Sequence, residues 1–207
     1  MESGMAPSQE LAVAIQVARH ALGQDRNGEL RLPERKAIWA AMGPTVVENG
    51  KPVLALGSRR RLRLAILTAE HVLPVWAKDF PANQEPQHML AVAEKWLAGH
   101  ADFQAAWMLR NSFWSELSNI QSVEAAAGFA TCQVLATALG DEKFTPQSLN
   151  APSCDQQLDP DQWDAGFYAS IAHAGAAPWE QENAAGKRRA FWQWYLAEAV
   201  PQAWRWY

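Results

Sequence analysis

The chain has 207 residues, 49% of them hydrophobic and 19% charged, which is enough apolar material for one full core. A net charge of −4 argues against nucleic-acid binding, which needs a basic face. Two cysteines, Cys132 and Cys154, form neither a disulfide framework nor a metal quartet, and no apolar run approaches the roughly 18 residues of a membrane span.

The N-terminus, MESGMAPSQE, lacks the basic and apolar regions of a signal peptide, so a soluble protein in a reduced, cytoplasmic setting is expected. Residues 1–7 are expected to be disordered and 8–207 to form a single helical domain. Ser8 caps the first helix, with Leu11, Ile15, Ala18 and Leu22 on one face and Gly23 as its stop. Pro33 suits the first position of a second helix, which Gly43 and Pro44 end. Two short β-prone runs around Asn49-Gly50 give the best hairpin signal, and Pro52 limits it to a small ribbon within 45–56.

The segment from Ser58 to Pro86 carries the longest helical period. Leu62, Ile66, Ala69, Leu73, Trp76 and Phe80 recur at steps of three and four, and Leu64, Leu67 and Val75 widen the stripe. Ser58 is the expected N-cap, and Pro74 is expected to kink the helix because it has no N–H and crowds the Glu70 carbonyl. Arg59, Arg60, Arg61 and Arg63 crowd the helix start, where the macrodipole disfavours positive charge. They call for acidic company from within the chain or from a partner, or else for plain solvation.

Pro86 opens a helix bearing Met89, Val92, Ala93 and Trp96 on one face. In the next, Phe103, Trp107, Arg110 and Trp114 share a side. Ser122 is the expected cap of an alanine-rich helix whose Ala126, Gly128 and Ala130 let a neighbour approach closely. Residues 141–158 show neither period. A helix restarts at Asp159-Pro160, and a last one runs from Pro178 to Pro201. Short links imply antiparallel neighbours: an all-α bundle, or stacked hairpins, of about eight helices.

No catalytic or metal motif survives inspection. Glu85-x-x-His88 is half of a di-iron pattern with no second copy, and Glu70 and His71 point about 100° apart on a helix. No cofactor is expected. Two surface features remain. Asp141, Glu142, Asp155, Asp159, Asp161 and Asp164, against Lys143, give the stretch a local balance of −5 and suit a basic partner. Of the C-terminal Trp179, Trp192, Trp194, Trp204 and Trp206, not all can share one helical face, so Trp204 and Trp206 join the acids as candidate contacts.

One stretch also carries a family pattern. Ala69, Glu70, Val72, Leu73, Pro74 and Trp76 are followed by Phe80-Pro81, then by Pro86 and a late Trp96. Upstream stand Gly28-Glu29-Leu30, Arg35 and Ile38-Trp39. Over roughly residues 28–140 the chain resembles an all-helical immunity-protein family, numbered five, of bacterial polymorphic toxin systems. It departs from the pattern at Ala77, where an acidic residue is expected. The resemblance implies a protein that binds a cognate toxin encoded nearby and blocks it by occlusion, without catalytic residues. Reversing Asp155, Asp159 and Asp161 to lysine is then expected to weaken toxin binding without loss of helicity. Two rivals stay open: a helical-bundle enzyme using Glu70, His71 or His88 (metal-dependent in one version), and a helical adaptor with no toxin partner.

Overall fold

The computed structural model describes residues 7–48, 51–100, 102–140, 154–180 and 184–207. Ser8 Oγ accepts the Leu11 amide at 3.2 Å and starts α1, Gln9–Gln24, which buries Leu11, Ile15, Ala18 and Leu22. Pro33 sits in the first turn of α2, Leu32–Ala41. The ribbon follows as β1, Val46–Glu48, paired antiparallel with β2, Lys51–Val53, so that Val46 faces Val53 and Glu48 faces Lys51. The Asn49-Gly50 turn and the expected disorder of residues 1–6 lie outside the described residues.

Helix α3 runs from Leu56 to Asp79, with Pro74 inside it. It begins before Ser58, which is buried rather than capping, and Ala55 precedes it. The reason is the close crossing of α3 with the end of α2. A Cβ on Gly57 would lie 2.5 Å from the Gly43 carbonyl oxygen, so only a bare backbone lets the chains meet there.

Three helices follow: α4, Glu85–Leu97; α5, Phe103–Leu117; and α6, Ala125–Leu139. Helix α6 packs against α3, α4 and α5 and against α7, Ala165–Ala174. Its small residues make this central position accessible: a Cβ on Gly128 would meet Leu117 at 2.6 Å and Trp76 at 3.1 Å. The alanine-rich helix is therefore the hub, with the longer α3 beside it. Ser122 does not cap α6, which starts two residues later than predicted, after Glu124.

Helix α5 corrects its predicted face. It buries Ala106, Phe113 and Leu117, while Phe103 and Trp107 stay exposed. The restart at Asp159 is also shorter than predicted. A 3-10 turn, Pro160–Gln162, precedes α7, which Asp164 caps by accepting the Phe167 amide at 3.1 Å. The last rod is α8, Ala185–Trp194, a π-turn at Tyr195–Ala199, and α9, Val200–Arg205. It passes through Pro201, because that ring sits in the first turn of α9. One hydrophobic core is continuous from Leu11 to Trp204. The fold is all-α with one small ribbon, and no described helix is long and apolar enough to cross a membrane.

Candidate functional site

The four arginines at the start of α3 are not a free basic patch. Arg60, Arg61 and Arg63 are buried. Arg59 donates to the carbonyls of Leu54, at 3.1 Å, and Leu97, at 2.7 Å. Arg60 reaches the Met42 carbonyl at 3.2 Å, and Arg61 reaches those of Trp39 and Gly43 at 3.2 and 2.6 Å and Thr45 Oγ1 at 2.9 Å. Apart from that of Leu54, just ahead of α3, these carbonyls lie at or just past the C-terminal ends of α2 and α4, where the helix dipole is negative, which offsets the misplacement at the N-terminus of α3. The C-terminus adds aromatic faces: Trp204 lies 3.4 Å from the Arg60 guanidinium and Trp206 3.6 Å from that of Arg63, which also pairs with Glu94. Among the described residues Glu94 supplies acidic company, and carbonyls and indole rings surround the arginines as well.

A second ionic cluster was not foreseen. Arg35 lies on the same face of α2 as Leu32, Ile38 and Trp39 and is fully buried. Its guanidinium pairs with Asp155, with Asp164 at 2.8 Å and with Glu29 at 3.5 Å, and donates to the Leu30 carbonyl at 2.6 Å. Arg188, also fully buried, lies 3.6 Å from Glu29 and donates to the carbonyls of Asn27, at 2.8 Å, and Ala176, at 2.6 Å. The rings of Phe167 and Trp192 stand 5.5 and 5.4 Å from the Arg35 guanidinium. The cluster ties the loop before α2, the turns before α7 and the last rod into one unit. A charged residue spaced into an apolar helical stripe, as Arg35 and Arg188 both are, was the available signal.

Three carboxyls, Glu29, Asp155 and Asp164, crowd around Arg35 and Arg188 here. Burial raises Glu29 to about 8, against the pull of Arg35 and Arg188. Burial raises Asp155 too, with Arg35 opposing it, while Arg35 itself is held charged by its three acids despite the cost of burial. A carboxyl whose pKa is higher folded than unfolded stabilises fully below its ordinary 4.5, and that stability is lost as pH rises through about 8. A Glu29→Gln variant, which mimics the protonated acid, is expected to lose this slope. Urea unfolding from about pH 5 to about pH 9 should show it gaining on the parent as pH rises, by at most about 1.4 kcal/mol per pH unit. Parallel profiles would show that Glu29 is ionised throughout.

The predicted contact residues therefore divide. Asp155 is buried in the Arg35 cluster and Asp164 caps α7 within it, so both face inward. Lysine at 155 would confront Arg35 in the interior and cost stability, which corrects the expectation that the triple reversal preserves the fold. Asp159 and Asp161 are exposed. Asp141 and Glu142 lie outside the described residues. Trp204 is 6% exposed and packed on Arg60, whereas Trp206 is 52% exposed.

The enzymatic candidates are scattered. Glu70 is exposed, whereas His71 is half-buried, stacked on Trp194 at 3.7 Å and 5.4 Å from His173. Burial lowers the pKa of both histidines. His88 pairs with Glu85 at 3.6 Å on the surface. Cys132 is buried and its thiol is pushed up to about 12 by that burial, which leaves it protonated and inert. Among the described residues no group of three or more histidine, cysteine or acidic side chains is placed to hold a metal ion.

Residues 15–202 match a family model described as Immunity protein Imm5. The chain belongs to the Imm5 immunity-protein family. The match extends well beyond the 28–140 segment that carries the motif, through the α7 turn and most of the last rod. No curated protein matches the chain. The motif residues of this Imm5 protein now have physical roles: Glu29 and Arg35 build the buried cluster, and Trp76 fills the contact of α3 with α6.

Proposed function

We propose that this Imm5 protein binds and neutralises a cognate bacterial toxin domain, encoded beside it, by occluding the toxin in the cytoplasm of the producing cell, with no chemistry of its own. Family membership carries the reading. The division of charge supports it: inward-facing ions hold the fold, which leaves Asp159, Asp161 and Trp206 on the outside for recognition. Asp141 and Glu142 extend the same acidic stretch and belong to the proposed contact surface. Loop charges would set specificity and association rate, and a few aromatic anchors the affinity.

Co-expression with the neighbouring toxin domain is expected to restore growth, and calorimetry to show a tight stoichiometric complex. Reversing Asp159 and Asp161 to lysine, with Asp155 left in place, should weaken that complex at least about tenfold while circular dichroism stays unchanged. Growth restored without any complex would point to chemical modification of the toxin and overturn occlusion.

A further inference from the structure

Beside the acidic turn lies a cleft of ≈ 470 Å³ between α5, α6 and α7, walled by Trp114, Phe129, Trp163 and Tyr168. The rings form a continuous wall: Trp114 stands 4.7 Å from Phe129, Phe129 5.2 Å from Tyr168, and Tyr168 5.3 Å from Trp163. Pro160 and Asp161 also line it.

Hydrogen bonds hold this arrangement before any partner arrives. Trp163 Nε1 donates to the Asp155 carbonyl at 2.7 Å, Tyr168 Oη to the Pro160 carbonyl at 2.8 Å, and Gln133 Nε2 to the Asp161 carbonyl at 3.0 Å. The main chain of the turn is thereby fixed, with the Asp159 and Asp161 side chains exposed. Arg110 is the cation on the α5 side, its guanidinium 4.6 Å from the Trp114 ring, so a guanidinium already rests on one ring of this wall. Asp161 is the one acidic side chain among the described residues that line the cleft.

Aromatic faces attract cations through their quadrupole, and a flat guanidinium stacks on them while pairing with a carboxylate at the edge. We infer that this cleft is a recognition pocket for an arginine side chain projecting from the toxin. The inference rests on the proposed function for the identity of the partner but not for the chemistry of the pocket. An apolar anchor alone would have no use for the aspartate in the lining.

The probe is methylguanidinium chloride, with neutral N-methylurea as its isosteric control, titrated into the whole protein and followed by the indole N–H signals in nitrogen-15 NMR. Saturable shifts at Trp114 and Trp163 are expected, about tenfold tighter for methylguanidinium than for the urea. The surface double variant Asp159→Asn, Asp161→Asn should erase most of that preference. Equal response to both probes, or a preference untouched by the double variant, would overturn the inference. The titration needs no toxin. A missing toxin complex would therefore sink the proposed function alone, and a normal complex without probe selectivity would sink the pocket alone.

Discussion

Replacing Arg35 by methionine should lower the unfolding free energy by about 3–5 kcal/mol, the penalty for removing one partner of a buried ion cluster. The side chain is fully buried, and its loss strands Glu29, Asp155 and Asp164 without the cation they share. Lysine is a poor substitute, since one ammonium cannot match the guanidinium fork that meets three carboxyls and the Leu30 carbonyl together. Urea unfolding measures the loss. If the acids are what suffers, adding Asp155→Asn and Asp164→Asn to Arg35→Met should recover part of it, as coupled residues do in a mutant cycle. A loss under about 1 kcal/mol for the single variant would mean that water reaches the cluster and that its charges do not hold the turns before α7.

Trp76→Ala is expected to cost a comparable amount, about 3–5 kcal/mol, through the cavity it leaves between α3, α5 and α6. The indole is fully buried, stacked on Phe80 at 4.2 Å, edge-on to Phe113 at 5.6 Å and close to the bare Gly128 of α6. Its Nε1 also donates to the Asn83 carbonyl at 2.9 Å, which fastens the turn between α3 and α4. Trp76→Phe separates the two contributions. It keeps most of the apolar volume and gives up the hydrogen bond, so a smaller loss of about 1–3 kcal/mol is expected, from the unpaired carbonyl and the reduced size. Equal losses for the two variants would assign the whole effect to the turn.

The family motif places this tryptophan six residues after Glu70, yet the two residues do different work. Trp76 faces inward to the hub, and Glu70 faces solvent. Six steps of about 100° leave Trp76 and Glu70 about 120° apart around the helix, and neighbours stand about 100° apart. The same geometry separates His71 from Glu70, so the acid/base pair suggested by their adjacency does not form: His71 turns to Trp194 and His173.

What the sequence determined by itself was periodic or local. The stripe from Leu62 to Trp76, the Ser8 cap, the Pro33 start and the short ribbon all follow from spacing, capping and turn chemistry, which act within a few residues. The small residues of α6 announced a close approach, though not that four helices would converge there. What only the tertiary structure decided was the destination of each charge. Asp155 and Asp159 look alike in an acidic run, yet one meets Arg35, 120 positions away in sequence, and the other meets solvent. Arg59 finds the carbonyl end of α4 and Arg60 and Arg61 that of α2, and the latter match exists only once Gly43 and Gly57 have let the end of α2 touch the start of α3. Burial turns an exposed-looking charge into a structural one, and burial is a property of the packed chain rather than of any stretch of it.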